Sequence, residues 1–131
     1  MNGAYAHIVE LLHHYHDGLH RCDTQLLAKV FHENAIYFTA SGGEEICLDM
    51  ATYLPKVAER TPPGSSDAPL HYHIESIELA GPVTAIARAR SSMWGKDFID
   101  ILTLVRTEGQ WKVISKVFHH EDNPGFEGEP S

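Results

Sequence analysis

The chain has little of what marks several large classes of protein. Its two cysteines, Cys22 and Cys47, have no CxxC spacing and give no disulfide framework, which argues against a small disulfide-stabilised secreted domain. No apolar run approaches the length needed to cross a membrane, and no basic segment precedes an apolar stretch near Met1. We therefore expect a cytoplasmic protein.

Positive charge is also scarce. Ten Lys and Arg residues stand against eighteen Asp and Glu residues, which gives a formal net charge of -8, and the basic residues form no run. A nucleic acid or an anionic membrane requires a positive surface, so we expect neither as a partner. The ten histidines are the titratable groups to examine, because each can serve as a base or a metal ligand near neutral pH.

The apolar content is sufficient for one domain. The chain has 131 residues, of which 43% are hydrophobic, and this length can bury one core of its own. We assign residues 1–120 to that single domain. Residues 121–131 are rich in Glu, Gly and Pro, so we expect a loose C-terminal tail.

Helical periodicity dominates the first half of the chain. Apolar residues recur at helical spacing over residues 4–20, which predicts an amphipathic helix. Asp23 and Asp49 are suitable N-caps for a second and a third helix. A strand over residues 35–40 lies between these two helices, and residues 61–69 are expected to form a loop.

After His71 the period of the apolar residues changes from helical spacing to two. Four strands are predicted over residues 71–80, 83–94, 97–106 and 111–118, each separated from the next by a glycine-containing turn. Three helices followed by consecutive strands predict an α+β domain. In this domain the helices pack on one face of a strongly curved antiparallel sheet.

The register of the last two strands decides which side chains share a face. A three-residue loop, 107–109, would place Asp100 opposite Lys116, whereas a two-residue loop would shift every pairing by one. In the three-residue register one face of the hairpin is too apolar to be left fully exposed to water, but it carries too many charges to be buried in a dry core. We therefore expect this face to form a homodimer interface. Asp100 and Lys116 would then form ion pairs on that outer face, and a catalytic role for them would require the other register. The apolar members of this face are Phe98, Leu102, Leu104 and Phe118.

Several segments resemble the nuclear transport factor two-like superfamily. They include Tyr15-His16-Asp17-Gly18, Asp100-Ile101-Leu102-Thr103-Leu104 and residues 31–35, 74–81 and 109–118. The resemblance covers roughly residues 5 to 120, and it is nearest to the putative lumazine-binding branch, beside the SnoaL-like and ketosteroid isomerase-like domains. It implies a cone-shaped, cystatin-like roll with a pocket at its open end, commonly in a homodimer.

The same resemblance suggests catalytic residues. Tyr15 is spaced from Asp23 like the tyrosine that ketosteroid isomerases use to donate a hydrogen bond to an enolate oxygen. Asp97 resembles the aspartate that those enzymes keep protonated beside this tyrosine. Both residues also have structural readings, Tyr15 as a core tyrosine and Asp97 as a turn residue. The general base of those enzymes would fall near Thr39, which cannot abstract a proton.

Histidines are the alternative bases. His119 and His73 are candidates because a neutral imidazole matches the working pH. His71 and His73 also share one face of a strand, but no carboxylate lies at a spacing typical of metal sites, so we predict no metal. No organic cofactor is predicted either.

The pocket itself is expected to be mainly apolar. The predicted wall residues are Phe31, Tyr37, Met93, Trp111 and Ser115, and the expected ligand is a small, largely apolar or aromatic molecule. Two functions remain open on this basis. One is a cofactor-independent isomerase, lyase or cyclase that moves a proton next to a carbonyl, and the other is a non-catalytic ligand-binding or accessory module.

Overall fold

The computed structural model describes residues 3–60 and 71–123, which form three helices packed on a curved, six-stranded sheet. The helices are α1 (Gly3–Arg21), α2 (Thr24–Val30) and α3 (Met50–Ala58), with a short 3-10 turn at Ser41–Gly43. The strands are β1 (Phe31–Thr39), β2 (Ile46–Asp49), β3 (His71–Leu79), β4 (Thr84–Met93), β5 (Lys96–Thr107) and β6 (Gln110–Asp122). They lie in the order β2-β1-β6-β5-β4-β3.

The helices begin where the caps predict. The side chain of Asp23 accepts a hydrogen bond from the backbone N–H of Leu26, and Asp49 accepts one from Thr52. These bonds satisfy N–H groups that have no partner within the first turn of a helix. Tyr5 belongs to the predicted apolar stripe of α1, but it lies in the first turns of the helix and is 55% exposed.

The sheet is mixed rather than wholly antiparallel. β1 pairs with β6 in the parallel direction, and all the other neighbouring strands are antiparallel. The short strand β2 was not predicted, since only four residues between polar stretches carry its pattern. β1 also begins at Phe31, earlier than the predicted start at residue 35.

The C-terminal boundary differs slightly from the prediction. β6 continues to Asp122, past the expected domain end at residue 120, and the side chain of Asn123 bonds to Asp97. Residues 124–131 of the expected tail and the expected loop at 61–69 lie outside the described residues.

β4 shows how the sheet separates its two faces. Ala85, Ala87 and Ala89 are fully buried on the face that the helices cover, while the residues between them are exposed. The small alanine side chains add little volume to this face. The alternation therefore gives β4 one buried face and one exposed face.

The register of the last hairpin corrects the three-residue prediction. Thr107 pairs with Gln110, which leaves a two-residue turn in which Glu108 and Gly109 both have positive φ, 52° and 80°. This is the backbone of a mirror-image hairpin turn, whose twist suits two antiparallel strands. A second shift between Thr103 and Leu104 then sets the pairing of the far end of the hairpin.

Because of these two shifts, the predicted inner and outer faces are exchanged along β5 and along the end of β6 that carries Lys116 and Phe118. Trp111 and Val113 remain buried, as predicted. Asp100 pairs with Phe118, and Leu102 pairs with Lys116. The four apolar residues expected at a dimer interface face the helices instead: Leu102 and Leu104 are fully buried, Phe118 is nearly so, and Phe98 packs against the core. The assignment of Phe98, Leu102, Leu104 and Phe118 to a dimer interface is therefore wrong.

The predicted outer ion pair of Asp100 and Lys116 is also wrong. Both residues are buried, and the ion pairs among the described residues do not include this one. A different set of apolar residues is exposed on the outer face, across β1, β6, β5 and β4. They are Ile36, Val117, Ile101 and Ile86.

Candidate functional site

A cavity of about 410 Å³ lies between the helices and the inner face of the sheet. This volume is within the range of about 300–1,000 Å³ that is usual for small-molecule sites. Its wall combines aromatic and apolar side chains with a few polar and charged ones. The lining residues are Leu19, Tyr37, Arg60, Ser91, Met93, Trp94, Lys96, Phe98, Asp100, Lys116, Phe118 and His120.

Asp100 is the carboxylate of this cavity. It projects from β5 between Ala89 of β4 and Phe118 of β6, and only 2% of the residue is exposed. Its Oδ2 accepts a hydrogen bond of 2.6 Å from the hydroxyl of Tyr15. Its Oδ1 is buried and has no hydrogen-bond partner among the described residues. One oxygen is therefore fixed, and the other is available to a ligand.

Tyr15 reaches Asp100 from the buried side of α1. Burial raises the pKa of its phenol well above the usual value, and the negative charge of Asp100 raises the pKa further. Both effects keep the phenol protonated, so that it donates to the carboxylate. Tyr15 thus orients Asp100 from the protein side.

Lys116 places an ammonium group in an aromatic environment. Only 5% of the residue is exposed, and it projects from β6 opposite Leu102 and Tyr37. Its Nζ lies 5.2 Å from the ring centroid of Tyr15, 5.4 Å from that of Tyr37 and 5.0 Å from that of Phe118. Cation–π attraction of this kind offsets part of the cost of burying the charge.

Arg60 and Trp94 form another part of the wall. The guanidinium of Arg60 lies 5.4 Å from the ring centroid of Trp94 and 5.9 Å from that of Tyr53. Trp94 has a φ of 53°, in a two-residue turn that it shares with Gly95. Bulky residues rarely adopt this left-handed conformation, and such strain is typical of functional sites.

Two further polar groups at the cavity are not satisfied within the described residues. The hydroxyl of Ser91 and Nδ1 of His120 are buried and have no hydrogen-bond partner there. Burial lowers the pKa of His120, and the nearby charge of Lys96 lowers it further. A ligand with donor and acceptor groups could bond to both side chains.

His16 lies behind Tyr15, away from the cavity lining. Its Nδ1 donates to the carbonyl oxygen of Leu12 over 2.9 Å, and its ring stacks on Tyr72 with a centroid distance of 4.1 Å. Burial lowers the pKa of His16 from 6.5 to about 4. The imidazole is therefore neutral near pH 7 and supports the ring of Tyr15 at a centroid distance of 4.8 Å.

The structure brings only some of the predicted wall residues to the cavity. Tyr37 and Met93 line it, as expected. Phe31 and Trp111 are buried in the hydrophobic core and are not among the lining residues. Ser115 pairs with Thr103 on the opposite face of the sheet, so its assignment to the pocket wall is wrong.

The predicted oxyanion pair of Tyr15 and Asp97 does not form. Asp97 lies on the opposite face of β5 from Asp100, where it accepts hydrogen bonds from Ser92 (2.7 Å) and Asn123 (3.0 and 3.1 Å). These bonds, that of Asn123 first, lower the pKa of Asp97. Asp97 is therefore an ionised acceptor and not a protonated donor. The exchange of faces in the hairpin is the reason.

The histidines predicted as bases do not line the cavity. His119 is exposed, and its Nε2 lies 3.0 Å from Oε2 of Glu121. His73 is exposed on the edge strand β3, opposite Arg90. Within residues 3–60 and 71–123, no three His, Cys, Asp or Glu side chains are grouped so as to hold a metal ion.

Arg60 was not predicted as a site residue. A catalytic role for Asp100 and Lys116 was predicted only for the two-residue turn, which is the turn that the last hairpin has. For Asp100 the sequence did carry a signal, a lone carboxylate at every-second-residue spacing with Phe98 and Leu102. The register was needed to place it inside. Arg60 has no comparable signal.

The fold and the cavity together define the class of protein. Three helices on a curved, unclosed sheet with a cavity between them form the nuclear transport factor two-like, or cystatin-like, architecture. Within this class, residues 4–119 match the family described as "Putative lumazine-binding". The chain belongs to that family.

Solved structures support the fold. A nuclear transport factor two-like protein of unknown function from Shewanella baltica has a TM-score of 0.80 at 24% identity, with 91% of this chain and 94% of that chain covered. A second such protein, from Silicibacter pomeroyi, has a TM-score of 0.80 at 21% identity, with 89% and 95% covered. A ketosteroid isomerase-like protein from Erwinia carotovora has a TM-score of 0.71 at 11% identity, with 92% and 98% covered.

None of the curated proteins matches this chain. Among the helices of the described residues, none is long and apolar enough to span a membrane.

Proposed function

We propose that the cavity binds a small, largely aromatic carbonyl compound and that Asp100 moves a proton next to its carbonyl group. The protein would then be a cofactor-independent isomerase, lyase or cyclase. One observation carries the proposal: Tyr15 holds Oδ2 of Asp100 at 2.6 Å, while the buried Oδ1 has no partner among the described residues. A carboxylate fixed in this way inside an apolar cavity is suited to act as a general base.

The proposed step is a proton transfer with a defined electron path. Oδ1 of Asp100 takes a proton from the carbon next to the carbonyl, and the electrons of that C–H bond form an enolate. The negative charge develops on the carbonyl oxygen, where the ammonium of Lys116 stabilises it. In an isomerase the protonated Asp100 then returns the proton to a different carbon. Tyr15 orients the carboxylate throughout.

A second candidate is a non-catalytic binding module. It is favoured by the positions of Asp97, His73 and His119, none of which lines the cavity. None of these three predicted catalytic residues can therefore act as a second acid or base beside Asp100. The family description names lumazine, a planar bicyclic compound with carbonyl groups, and a molecule of this shape suits the aromatic wall. Lumazine is therefore a first probe for this candidate.

Proton exchange distinguishes the two candidates. The full chain is incubated in D₂O with 2-tetralone, an aromatic ketone, and exchange of the protons next to its carbonyl is followed by NMR. We expect the wild type to accelerate exchange and Asp100→Asn to lose about 10²-fold or more of that acceleration. Tyr15→Phe should retain part of it, since only the orientation of Asp100 is disturbed.

Asp97→Asn is the matched control, because it makes the same chemical change on the same strand but on the opposite face of the sheet. This variant should accelerate the proton exchange of 2-tetralone as much as the wild type does. If Asp100→Asn also accelerated the exchange as much as the wild type, the catalytic proposal would be wrong. Calorimetric titration with lumazine would then test the binding module.

The quaternary structure proposed is a homodimer that uses the outer face of the sheet. Ile36, Ile86, Ile101 and Val117 are exposed there on four adjacent strands. Apolar side chains grouped on one face are typical of protein–protein interfaces. This patch replaces the set expected from the three-residue register.

A further inference from the structure

The charges that line the cavity do not cancel. Of the four charged side chains there, Lys96 pairs with Asp122 at 3.1 Å and Asp100 is held by the neutral hydroxyl of Tyr15. Arg60 and Lys116 remain, and neither has a carboxylate within ion-pair distance among residues 3–60 and 71–123. The described wall of the cavity therefore carries more unpaired positive than negative charge.

This excess is not explained by the composition of the chain. The net charge is -8, so carboxylates outnumber the basic groups and partners for two cations are abundant. Lys116 is nevertheless buried against aromatic rings, and its Nζ takes part in none of the hydrogen bonds found among the described residues. Buried cations are normally paired. With Asp100 counted against Lys116, one positive charge of the wall still has no counter-charge, which the anionic group of a ligand would supply.

The two cations also lie near one aromatic ring. The centroid of Tyr53 is 6.0 Å from Nζ of Lys116 and 5.9 Å from the guanidinium carbon of Arg60. Lys116 also lies near Tyr15, which bonds to Asp100, and Arg60 lies near Trp94. Both cations line the same cavity, so one small molecule could meet both at once.

We infer that the ligand is a planar aromatic acid, whose carboxylate pairs with Arg60 while its ring lies against Trp94 and its other polar end reaches Lys116. The inference rests on the proposed use of this cavity and adds the chemical class of the ligand. A guanidinium suits this role, because its planar fork matches the two oxygens of a carboxylate. The strained turn at Trp94 is then explained, since it holds the ring beside that guanidinium.

The test compares two probes of equal shape and different charge. The full chain is titrated by calorimetry with 2-naphthoate and with 2-naphthamide. We expect naphthoate to bind at least about 10-fold more tightly than the amide, which corresponds to about 1.4 kcal/mol. Arg60→Gln should lose this preference and bind both probes alike.

Lys56→Gln is the matched control, because Lys56 is an exposed cation one helical turn before Arg60 and does not line the cavity. It should keep the preference of the wild type. Circular dichroism of each variant checks that the fold is intact. Lys116→Met serves as the second variant, and it should keep the preference for naphthoate over the amide, because the single carboxylate of naphthoate pairs with Arg60.

The inference and the proposed function can fail separately. Equal affinities for the two probes, no binding of naphthoate, or a preference that survives Arg60→Gln would overturn the inference. Acceleration of 2-tetralone exchange would still support catalysis in that case. Conversely, tight binding of naphthoate without any exchange of 2-tetralone would keep the acid as ligand class and reject the catalytic step.

Discussion

Tyr15 contacts two titratable groups. Asp100 accepts a hydrogen bond from its hydroxyl group, and the ring of His16 packs against its ring. Tyr15 therefore couples the cavity to a part of the core that does not line it. The predicted structural role of this residue, a core tyrosine with a satisfied hydroxyl, agrees with its burial and its bond to Asp100, and its predicted catalytic role stays a prediction.

His16 makes the stability of the fold depend on pH. Its pKa is about 4 in the folded chain, below the usual 6.5 that we assign to the unfolded chain. Between these values the unfolded chain binds a proton that the folded chain does not, so stability falls as the pH is lowered from 7 to 5. We expect this histidine to account for about 2 kcal/mol of that loss.

The measurement is urea unfolding of the wild type and His16→Gln at pH 7 and pH 5. The variant should lose about 2 kcal/mol less than the wild type over this interval, although it starts from a lower stability at pH 7. His120, whose pKa is also lowered, is present in both proteins and cancels in the comparison. Equal losses in the two proteins would show that His16 does not titrate between folded and unfolded states.

Single residues of the site could be predicted only where a local pattern carried them. Tyr37 and Met93 were predicted from their apolar character, and they line the cavity. Tyr15 was singled out by its spacing from Asp23, but it bonds to Asp100 and not to the predicted Asp97. Asp100 and Lys116 were noticed as charges within apolar strands but placed on the wrong face. The sequence shows that successive side chains of a strand point to opposite faces of the sheet. It does not show which of the two faces packs against the helices.

Elements with local signals were predicted well. The two aspartate caps determine where α2 and α3 begin, and the change of period at His71 marks the start of β3. The parallel pairing of β1 with β6 depends on contacts between distant parts of the chain, and no local pattern reports them. The same holds for the irregularity between Thr103 and Leu104, which is a property of the paired strands.

The turn of the last hairpin gives a test of the register. Glu108 has a φ of 52°. This left-handed backbone conformation costs most residues with a side chain about 1 kcal/mol of stability, and asparagine adopts it at a lower cost. We expect Glu108→Asn to raise the free energy of unfolding by about 0.5 kcal/mol, because Asn-Gly is the preferred pair for this turn. Urea unfolding followed by tryptophan fluorescence measures the change.

Gly109→Ala is the companion variant. A Cβ at Gly109 would meet no atom within 4 Å, so its only cost is the positive φ of 80°. It should lower the free energy of unfolding by about 1 kcal/mol. If Glu108→Asn destabilised the protein, the two-residue turn would be wrong. A three-residue loop would then return Asp100 to the outer face and remove the basis of the proposed site.

The proposed homodimer concerns the molecule as a whole and depends on the same register. The exchange of faces puts Leu102 and Leu104 inside and leaves Ile101 and Val117, 36% and 47% exposed, outside. Ile101 pairs with Val117 near the middle of the outer face. A charge introduced at Ile101 would therefore be buried and unpaired in the dimer, but remain in water in a monomer.

Light scattering coupled to gel filtration measures this difference. We expect the wild type to have twice the chain mass of 14.6 kDa at micromolar concentration, and Ile101→Lys to have the mass of a single folded chain. Leu79→Lys is the control, because Leu79 is also exposed on a strand, at 46%, but aligns with Ala85 of the inner face. A wild type that stays monomeric would reject the dimer. A dimer that survives Ile101→Lys would place its interface on another surface, and in both cases the cavity within each subunit would still be complete.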